Sequence, residues 1–379
     1  MGHSRICSMQ HPYTFDVYFP PGLERLQGKG RVATLGMFII DHFEVTDQHG
    51  NLVSTEDEAI GGGGIFAMIA ARQFLPSSHV GLLVDKGSDF PPRFTEDLER
   101  LGKDMIWFRH RDGPTTRALN IYSGRKIGEG HQSFKYISPQ LQIFPRDLIV
   151  DPSPFAKPFA PEWIHVVCGS PRMKLIVEEL EGLKRDAVNE GASHLRSQLV
   201  WEPLPFSCTP GESDNLIWLA SRIAIFSPNL LELQSILGIS PVSSPTHSNA
   251  EIAACAFLKL LTAKYPNVPA PAIVVRAGEL GAFTLSPDWT GWVPAFWREE
   301  EQSQVVDVTG GGNSFLGGLL AGLLLSNGDI KAASIFASTA ASFAIQQRGP
   351  PILTFDGDVE KWNGEVAWDR LRDLKNRVL

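Results

Sequence analysis

The sequence predicts an α/β fold with a mostly parallel central sheet, on three observations. Apolar runs long enough for buried strands recur along the chain, as at 31–40 and 79–85. Segments of helical character alternate with them, as at 92–101 and 173–190. A strand end, a glycine turn and an apolar helix follow one another in residues 304–325. Such alternation is typical of parallel sheets with helical crossovers.

Composition restricts the classes of function. The chain has 379 residues, of which 43% are hydrophobic and 20% charged, with 35 glycines and 27 prolines. This is ordinary for a folded α/β protein with a large core. The net charge is −8 and no long run of one sign occurs. Broad nucleic-acid binding needs a basic face and is therefore not expected.

The cysteines and the N-terminus indicate a reduced, cytoplasmic protein. None of the 4 cysteines has C-x-x-C spacing and no histidine pair has H-E-x-x-H spacing, so neither a zinc site nor a disulfide framework is expected. Residues 1–30 are polar and lack the apolar core of a signal peptide. The longest apolar run, at 316–325, is too short to span a bilayer, so no membrane is expected as a partner.

The first elements predict a ligand-binding edge of the sheet. Residues 1–30 are expected to form a loosely held extension, followed by a core strand at 31–40. Asp41 comes directly after that strand, where open α/β sheets place ligand groups. An aspartate also caps helices and turns, and the residues alone leave both roles open. The polar segment at 42–58 predicts a small hairpin standing out from the core.

Four consecutive glycines, 61–64, open the next helix. Glycines at a helix start let the backbone approach a ligand closely, although a flexible turn would also use them. Residues 105–122 hold two short strand-like pieces, with Arg117 between them. Arg117 either contacts an anionic substrate or lies on the surface, and we favour the surface. The proline-rich segment at 126–160 predicts a long surface connection.

The middle of the chain continues the same alternation. A strand at 163–168 contains His165, which we expect to be buried and structural. After a strand at 223–226, Asn229 and Glu232 stand three residues apart at a helix start. That spacing suits an N-cap asparagine with a glutamate bonding back to it. A carboxylate there would also suit magnesium, which prefers oxygen ligands.

The most informative stretch is 304–325, QVVDVTGGGNSFLGGLLAGLLL. Three glycines, Gly310, Gly311 and Gly312, lie between a strand end and an apolar helix. The glycines allow close backbone approach, and the helix start adds unpaired N–H donors and the positive end of a dipole. An anion, most often a phosphate, is the expected ligand.

The order Asp307-x-Thr309-Gly310-x-Gly312, then a polar residue, resembles the C-terminal signature of the ribokinase-like carbohydrate kinases, the PfkB family. The resemblance extends over 31–350, and among the members the chain is similar to the fungal maintenance-of-killer proteins. It implies a ribokinase-like three-layer sandwich, with a small β-flap over the acceptor site from about 42–60 and 105–123. A tail at 351–379 is expected to pack on this domain.

The family resemblance also implies the cofactors, ATP and Mg²⁺, and the residues around them. In the family the loop at Gly310, Gly311 and Gly312 cradles the transferring phosphate, and Asp307 and Thr309 lie on the nucleotide side. The residue after the last glycine is an aspartate, the base that takes the proton from the acceptor hydroxyl. Here that position is Asn313.

On the acceptor side the resemblance implies a sugar-binding role for Asp41. The glycine pair of the N-terminal signature matches Gly62 and Gly63, which precede a sugar-binding asparagine in the family. At that matching position this chain has Phe66. The acceptor is then less polar than ribose, or that pocket is closed.

On the nucleotide side the resemblance favours a functional role for the Asn-x-x-Glu spacing. Asn229 is implied in organising the phosphates and Glu232 in binding magnesium. The strand that ends at Arg276 and the turn with Gly278 and Gly281 are implied to lie beside the nucleotide.

Two functions remain open from the sequence. One is a kinase that transfers the γ-phosphate of ATP to a hydroxyl of a small sugar-like, nucleoside-like or specialised-metabolite acceptor. The other is a pseudokinase that binds nucleotide and acts through partners, because the amide of Asn313 cannot be a general base. We favour retained transfer, since positioning and electrostatics supply most of the catalysis in phosphoryl transfer. The flap also offers a strand edge that a second subunit would cover in a homodimer.

Overall fold

The computed structural model describes residues 28–47, 49–123, 132–191 and 195–378. Its strands are β1 (Val32–Thr34), β2 (Ile39–Thr46), β3 (Leu52–Gly61), β4 (Val80–Lys86), β5 (Ile106–His110), β6 (Arg117–Ser123), β7 (Gln132–Tyr136), β8 (Trp163–Cys168), β9 (Gln198–Pro203), β10 (Ile225–Phe226), β11 (Ala272–Arg276), β12 (Ala282–Leu285), β13 (Thr290–Val293), β14 (Leu353–Asp356) and β15 (Val359–Trp362). Its α-helices are α1 (Gly63–Arg72), α2 (Pro92–Glu99), α3 (Pro145–Ile149), α4 (Ser170–Asn189), α5 (Ser213–Ala220), α6 (Leu230–Ile236), α7 (His247–Lys264), α8 (Gly311–Leu325), α9 (Ile330–Ala344) and α10 (Ala367–Val378).

The central sheet has the strand order β13-β12-β11-β10-β9-β8-β1-β4-β5. Every neighbouring pair from β11 to β5 is parallel, and β12 and β13 add an antiparallel edge. The chain adds β4 and β5 on one side of β1 and then β8 on the other, so the direction of winding reverses there. Open α/β sheets bind ligands outside the carboxyl ends of the strands at such a switch point.

Helices cover both faces of the sheet, because its strands are apolar on both sides. One face packs against α1, α8, α9 and α10 in a core that contains Val84, Leu319 and Leu374. The other face packs against α4, α5, α6 and α7 in a core that contains Trp201 and Phe257. The predicted three-layer α/β sandwich is confirmed.

The flap is a separate four-stranded sheet with the order β3-β2-β6-β7. Strands β2 and β6 are parallel, and the other two pairs are antiparallel. The expected flap at 105–123 is wrong for its first half, since β5 extends the central sheet beside β4. The surface connection expected at 126–160 is also wrong in part, because it supplies β7 of the flap and the short helix α3.

The helix α8 is in close backbone contact with both of its neighbours. A Cβ at Gly317 would overlap the Ala67 carbonyl of α1. A Cβ at Gly318 or Gly322 would overlap residues of α9. Glycine is therefore needed on two faces of α8, and these contacts hold the helix between α1 and α9.

The C-terminal tail packs on the sandwich as a β14–β15 hairpin followed by α10. Trp362 and Leu374 of the tail are buried in the same core as α8. Glu360 forms an ion pair with Arg72 of α1. Within the described ranges, no helix is long and apolar enough to cross a membrane.

The cysteines at 168, 208 and 255 are free thiols, as expected. Burial raises the pKa of Cys168 and of Cys208 to about 12, so these two are poor nucleophiles. The fourth, Cys7, lies outside the described residues, as does most of the predicted N-terminal extension at 1–30.

Candidate active site

The glycine loop before α8 forms the centre of the candidate site. Gly310 has a left-handed backbone with φ of 76°, and no side chain of the described residues caps the helix there. Asp307 holds the preceding turn, since its Oδ1 accepts the Thr309 N–H at 2.9 Å. The helix thus begins with main-chain N–H donors that lack side-chain acceptors within the described ranges, and such a helix start binds anions.

Three side chains lie directly against this loop and explain its glycines, with Ile345 Cγ2 2.8 Å from a Cβ at Gly311. A Cβ at Gly310 would overlap the ring of Phe66, and a Cβ at Gly312 would overlap the guanidinium of Arg276. Phe66 is only 6% exposed, so its ring is buried behind the phosphate loop. Of the two alternatives for Phe66, this packing favours the closed pocket.

Asn313 lies where the glycine loop meets the first turn of α1. Its Oδ1 sits against Gly63, at the position that a Cβ would occupy. This oxygen is buried and has no hydrogen-bond partner among the described residues. Buried carbonyl oxygens are normally paired, so the atom is placed to accept a hydrogen bond from a ligand. Gly62, with φ of 95°, precedes the same turn.

Asp41 lies on the flap, on the other side of that turn. It belongs to β2, opposite Ala59 of β3 and Ala118 of β6. Its Oδ2 sits against Gly61, and its Oδ1 is buried without a hydrogen-bond partner in the described part of the chain. Burial raises the pKa of the Asp41 carboxyl to about 7, although a hydrogen bond with Asn120 opposes this shift.

The flap also touches the glycine loop directly. Tyr122 of β6 shares a side-chain hydrogen bond with Thr309. Burial, and then the charge of Asp307, raises the pKa of the Tyr122 phenol, so the hydroxyl stays protonated. The flap therefore contacts Thr309, directly before the anion site.

Asn229 and Glu232 form the capping pair that their spacing predicts. Glu232 N–H donates to Asn229 Oδ1 at 2.8 Å, and Asn229 N–H donates to Glu232 Oε2 at 2.7 Å. Glu232 Oε2 also lies 3.6 Å from Arg276 Nη2. The capping role is confirmed, and the magnesium role of Glu232 stays a prediction.

Arg276 connects this pair to the interior of the sheet. Its Nη1 lies 2.8 Å from Glu202 Oε1 of β9, and its Nη2 donates to the Ser227 carbonyl at 3.1 Å. Burial opposes ionisation of Glu202, but the charge of Arg276 and the nearby His165 outweigh it, so the pKa of Glu202 is lowered. Arg276 is therefore a charged group held beneath Gly312 by two carboxylates.

A chain of polar contacts runs on from Glu202 to the acceptor side. Glu202 Oε2 lies 3.9 Å from His165 Nε2. His165 Nδ1 lies 2.9 Å from Thr34 Oγ1, which accepts the Gly36 N–H at 2.8 Å. His165 is fully buried, as expected, and its structural role stays a prediction. This series of polar contacts connects β9, β8 and β1 across the switch point of the sheet.

The remaining predicted nucleotide residues lie in the turn between β11 and β12. Gly278 and Gly281 both have positive φ, of 58° and 91°. A Cβ at Gly281 would overlap the Val293 carbonyl, so this glycine is needed by the hairpin itself. A Cβ at Gly278 would have nothing within 4 Å. The structure places this turn directly after Arg276.

Arg117 lies at the start of β6 in a partly exposed position. Its side chain is 17% exposed and forms ion pairs with Glu58 of β3 at 2.6 Å and with Asp89 at 3.0 Å. The preference for a surface position stays a prediction. These ion pairs tie the flap to the loop that follows β4.

The structure thus brings most of the predicted residues into one site. Phe66 touches Gly310, Asn313 touches Gly63, and Arg276 joins Gly312 to Glu232. Three further residues of the site, Glu202, Tyr122 and Asn120, were not predicted from the sequence. Glu202 follows the apolar residues of β9 (QLVWEP), and Asn120 lies between Leu119 and Ile121 of β6 (RALNIYS). A polar side chain among apolar neighbours was the available signal for these two.

The acidic residues of this site are too few to hold a magnesium ion by themselves. They could bind one only together with the phosphates of a nucleotide. Among the described residues no cluster of three or more His, Cys, Asp or Glu side chains could hold a metal ion. Magnesium keeps several waters and is commonly bound through one or two carboxylates together with substrate phosphates. Glu232 is compatible with such a role, since carboxylate oxygens are its donors.

The comparisons with known proteins agree with this geometry. Residues 216–353 match the family described as pfkB family carbohydrate kinase. An uncharacterized protein of Schizosaccharomyces pombe is 31% identical over 357 residues, which cover 90% of this chain and 91% of that protein. The protein MAK32 of Saccharomyces cerevisiae is 30% identical over 359 residues, which cover 91% of this chain and 92% of that protein.

The chain belongs to the PfkB carbohydrate kinase family. It is a divergent member, because Asn313 stands where the family signature has its aspartate. The predicted resemblance to the fungal maintenance-of-killer proteins is confirmed by the match to MAK32.

Solved structures show that this PfkB member has the ribokinase-like fold. Ribokinase from Giardia lamblia superimposes with a TM-score of 0.65 at 17% identity, covering 93% of this chain and 100% of that one. Adenosine kinase from Anopheles gambiae gives 0.60 at 16% identity, covering 86% and 97%. Ribokinase from Cryptococcus neoformans, in complex with ADP, gives 0.58 at 17% identity, covering 93% and 100%.

Proposed function

We propose that this PfkB protein transfers the γ-phosphate of ATP to a hydroxyl of a small acceptor. The acceptor is sugar-like, nucleoside-like or a specialised metabolite. The observation that carries the proposal is the meeting of two surfaces at one turn. The glycine loop of α8 reaches Gly63 through Asn313, and Gly61, two residues earlier, ends the flap strand β3 beside Asp41 of β2.

The residues divide between two ligands. The N–H groups at Gly310 and Gly312 bind the transferring phosphate, because a helix start attracts anions, while the Gly311 N–H closes the loop on the Val308 carbonyl at 3.0 Å. Arg276 lies beneath Gly312 and adds positive charge there. When bound, ATP supplies the phosphoryl group and magnesium neutralises charge on its phosphates, with Glu232 as the carboxylate for the metal.

The acceptor side has the opposite character. Asp41 and Asn313 offer oxygen acceptors to a hydroxyl, and Phe66 closes the space behind the loop. Tyr122 covers the same space from the flap. This arrangement positions an alcohol beside the phosphate and excludes water, which is most of what phosphoryl transfer requires.

The first test is calorimetric titration of ATP with magnesium into wild type and Gly311→Glu. The new side chain would crowd Ile345, whose Cγ2 lies 2.8 Å from a Cβ at Gly311, and would bring a negative charge to the phosphate loop, so we expect binding to be lost in the variant. Gly211→Glu is the matched control, because Gly211 is exposed and its only close neighbour is 3.9 Å away. No binding in wild type would overturn the proposal.

The second test is ADP release with a panel of sugars, polyols, sugar phosphates and nucleosides. A pseudokinase that binds nucleotide and acts through partners is the second candidate, and Asn313 favours it, since an amide takes up no proton near neutral pH. ATP binding without ADP release, in wild type and in Asn313→Asp, would support that second candidate.

We also propose that the flap forms a homodimer. Its two edge strands, β3 and β7, carry exposed apolar side chains: Leu52 at 58%, Val53 at 65% and Phe134 at 50% exposure. Exposed strand edges of this kind pair with other chains. Sedimentation velocity of wild type and Val53→Lys tests it, with a monomeric wild type as the refuting result. The cytoplasmic location stays a prediction.

A further inference from the structure

Asn313 leaves open which group takes the proton of the acceptor hydroxyl. Two buried oxygen atoms near the Gly61–Gly63 turn lack hydrogen-bond partners in the described ranges, Asp41 Oδ1 and Asn313 Oδ1. Both can accept a hydrogen bond, but only the carboxylate can bind a proton. Of these two side chains, only Asp41 can therefore take the proton of the acceptor hydroxyl.

The two side chains are close enough to meet one small molecule. Asp41 sits against Gly61 and Asn313 sits against Gly63, on the same turn. The Cα atoms of two residues spaced by two are at most roughly 7 Å apart. A molecule the size of a monosaccharide can therefore touch both side chains while one hydroxyl faces the glycine loop.

The other acidic residues of the site are already engaged. Glu202 pairs with Arg276 at 2.8 Å, and Glu232 accepts the Asn229 N–H and lies near the same arginine. Asp307 accepts the Thr309 N–H within its own turn. Cations and backbone donors stabilise a carboxylate and make it a poor base.

Asp41 has no such stabilisation from a charge. Among the described residues no lysine, arginine or histidine forms an ion pair with it. The titratable groups that face it are Tyr122 of β6 and Tyr136 of β7, and burial raises the pKa of both phenols. Tyr122 in turn interacts electrostatically with Asp307 and Arg348, and Tyr136 with Arg172.

We propose that Asp41 is the general base of this kinase, in place of the aspartate that Asn313 has replaced. This inference rests on the proposed function. The acceptor hydroxyl gives its proton to Asp41 Oδ1 as its oxygen bonds to the γ-phosphorus. The bond from that phosphorus to the β,γ-bridging oxygen breaks, and ADP leaves with the electron pair. Asn313 Oδ1 accepts a hydrogen bond from the acceptor and orients it.

The pKa of the Asp41 carboxyl agrees with a role as general base. Burial raises the pKa of its carboxyl to about 7, so a substantial fraction is ionised at neutral pH. A base with a pKa near the working pH combines availability with proton affinity.

The test compares wild type with Asp41→Asn, Asn313→Asp and the double variant. The assay is ADP release with the panel acceptor that gives the highest wild-type rate. We expect Asp41→Asn to lower kcat by about 10²–10⁴-fold, the usual contribution of a positioned base.

We expect wild-type kcat to fall as pH drops below about 7, following the Asp41 carboxyl. The double variant should recover activity, since a carboxylate is restored at position 313. Asp356→Asn, in the exposed tail hairpin, is the matched control.

Four results would overturn the inference. A raised KM with less than tenfold loss of kcat in Asp41→Asn would make Asp41 an acceptor-binding residue only. A double variant no more active than Asp41→Asn would likewise exclude Asp41 as the base. Activity in Asn313→Asp alone, with an inactive wild type, would leave the kinase framework standing without Asp41 as base. Inactivity of all four proteins, with ATP binding intact, would overturn the proposed function and this inference together.

Discussion

Replacing Asp41 by Asn should stabilise the fold at pH 8 and leave its stability nearly unchanged near pH 4. Asp41 is partly buried on the flap, its Oδ1 is inaccessible, and no described cation pairs with it. Ionising this carboxyl in the folded protein therefore costs free energy that the unfolded chain does not incur. Asparagine keeps the shape and the contact with Asn120 but carries no charge.

The size of this effect follows from the pKa of Asp41. Burial raises that pKa from 3.8 to about 7, a difference of about 3 units. Each unit corresponds to about 1.4 kcal/mol, which gives at most about 4 kcal/mol. The folded state binds the extra proton between these two values, so wild type loses stability as pH rises from about 4 to 7. Above pH 7 the difference from the variant becomes constant.

Urea unfolding of both proteins from pH 4.5 to 8 measures the effect. We expect the difference in unfolding free energy to grow by up to about 4 kcal/mol over that range. Asp356→Asn is the control, because the hydrogen bond and charge of Lys361 lower the pKa of exposed Asp356 below its ordinary value of 3.8, so this carboxyl is ionised in both states from pH 4.5 to 8 and the difference from wild type should not change over that range. A difference between wild type and Asp41→Asn that does not change with pH would refute the reasoning.

Three further predictions concern the rest of the site and the tail. Glu232→Ala should cost about 1–2 kcal/mol in urea unfolding, because it removes the capping contact with Asn229, and an unchanged midpoint would contradict that role. Tyr122→Phe should cost about 0.5–1.5 kcal/mol and speed amide exchange in β6, since the bond to Thr309 is lost; equal exchange would show that this bond does not hold the flap. Trp362→Ala should cost about 3–5 kcal/mol in a single unfolding transition, and a separate transition of the tail would contradict its packing in the core.

The layered fold could be predicted because its signals are local. Buried parallel strands such as β4, VGLLVDK, are apolar on both faces, and this pattern is visible in the sequence. The glycine loop was equally visible, since Gly310 to Gly312 stand between a strand end and an apolar helix. The capping contact of Asn229 and Glu232 followed from their spacing alone.

The rest depends on contacts between distant parts of the chain. Nothing local distinguishes β5, which extends the central sheet, from β6, which belongs to the flap. Arg117 is partly buried only because Glu58 and Asp89 come from two other segments. Spacing along the chain carries no information on such pairings.

The close packing of α8 between α1 and α9 affects how nucleotide and acceptor bind. Because Gly317, Gly318 and Gly322 bring α8 into backbone contact with α1 and α9, the phosphate loop is ordered when the protein folds. Nucleotide therefore meets a preorganised surface, and its binding bears little entropic cost of ordering. In the described part of the chain, the outer edges of the four-stranded flap have no such backbone contact. We therefore expect the flap, and not the phosphate loop, to change conformation for a new acceptor. A protein with a preorganised phosphate loop can change its acceptor specificity, or lose phosphoryl transfer, and still bind a nucleotide.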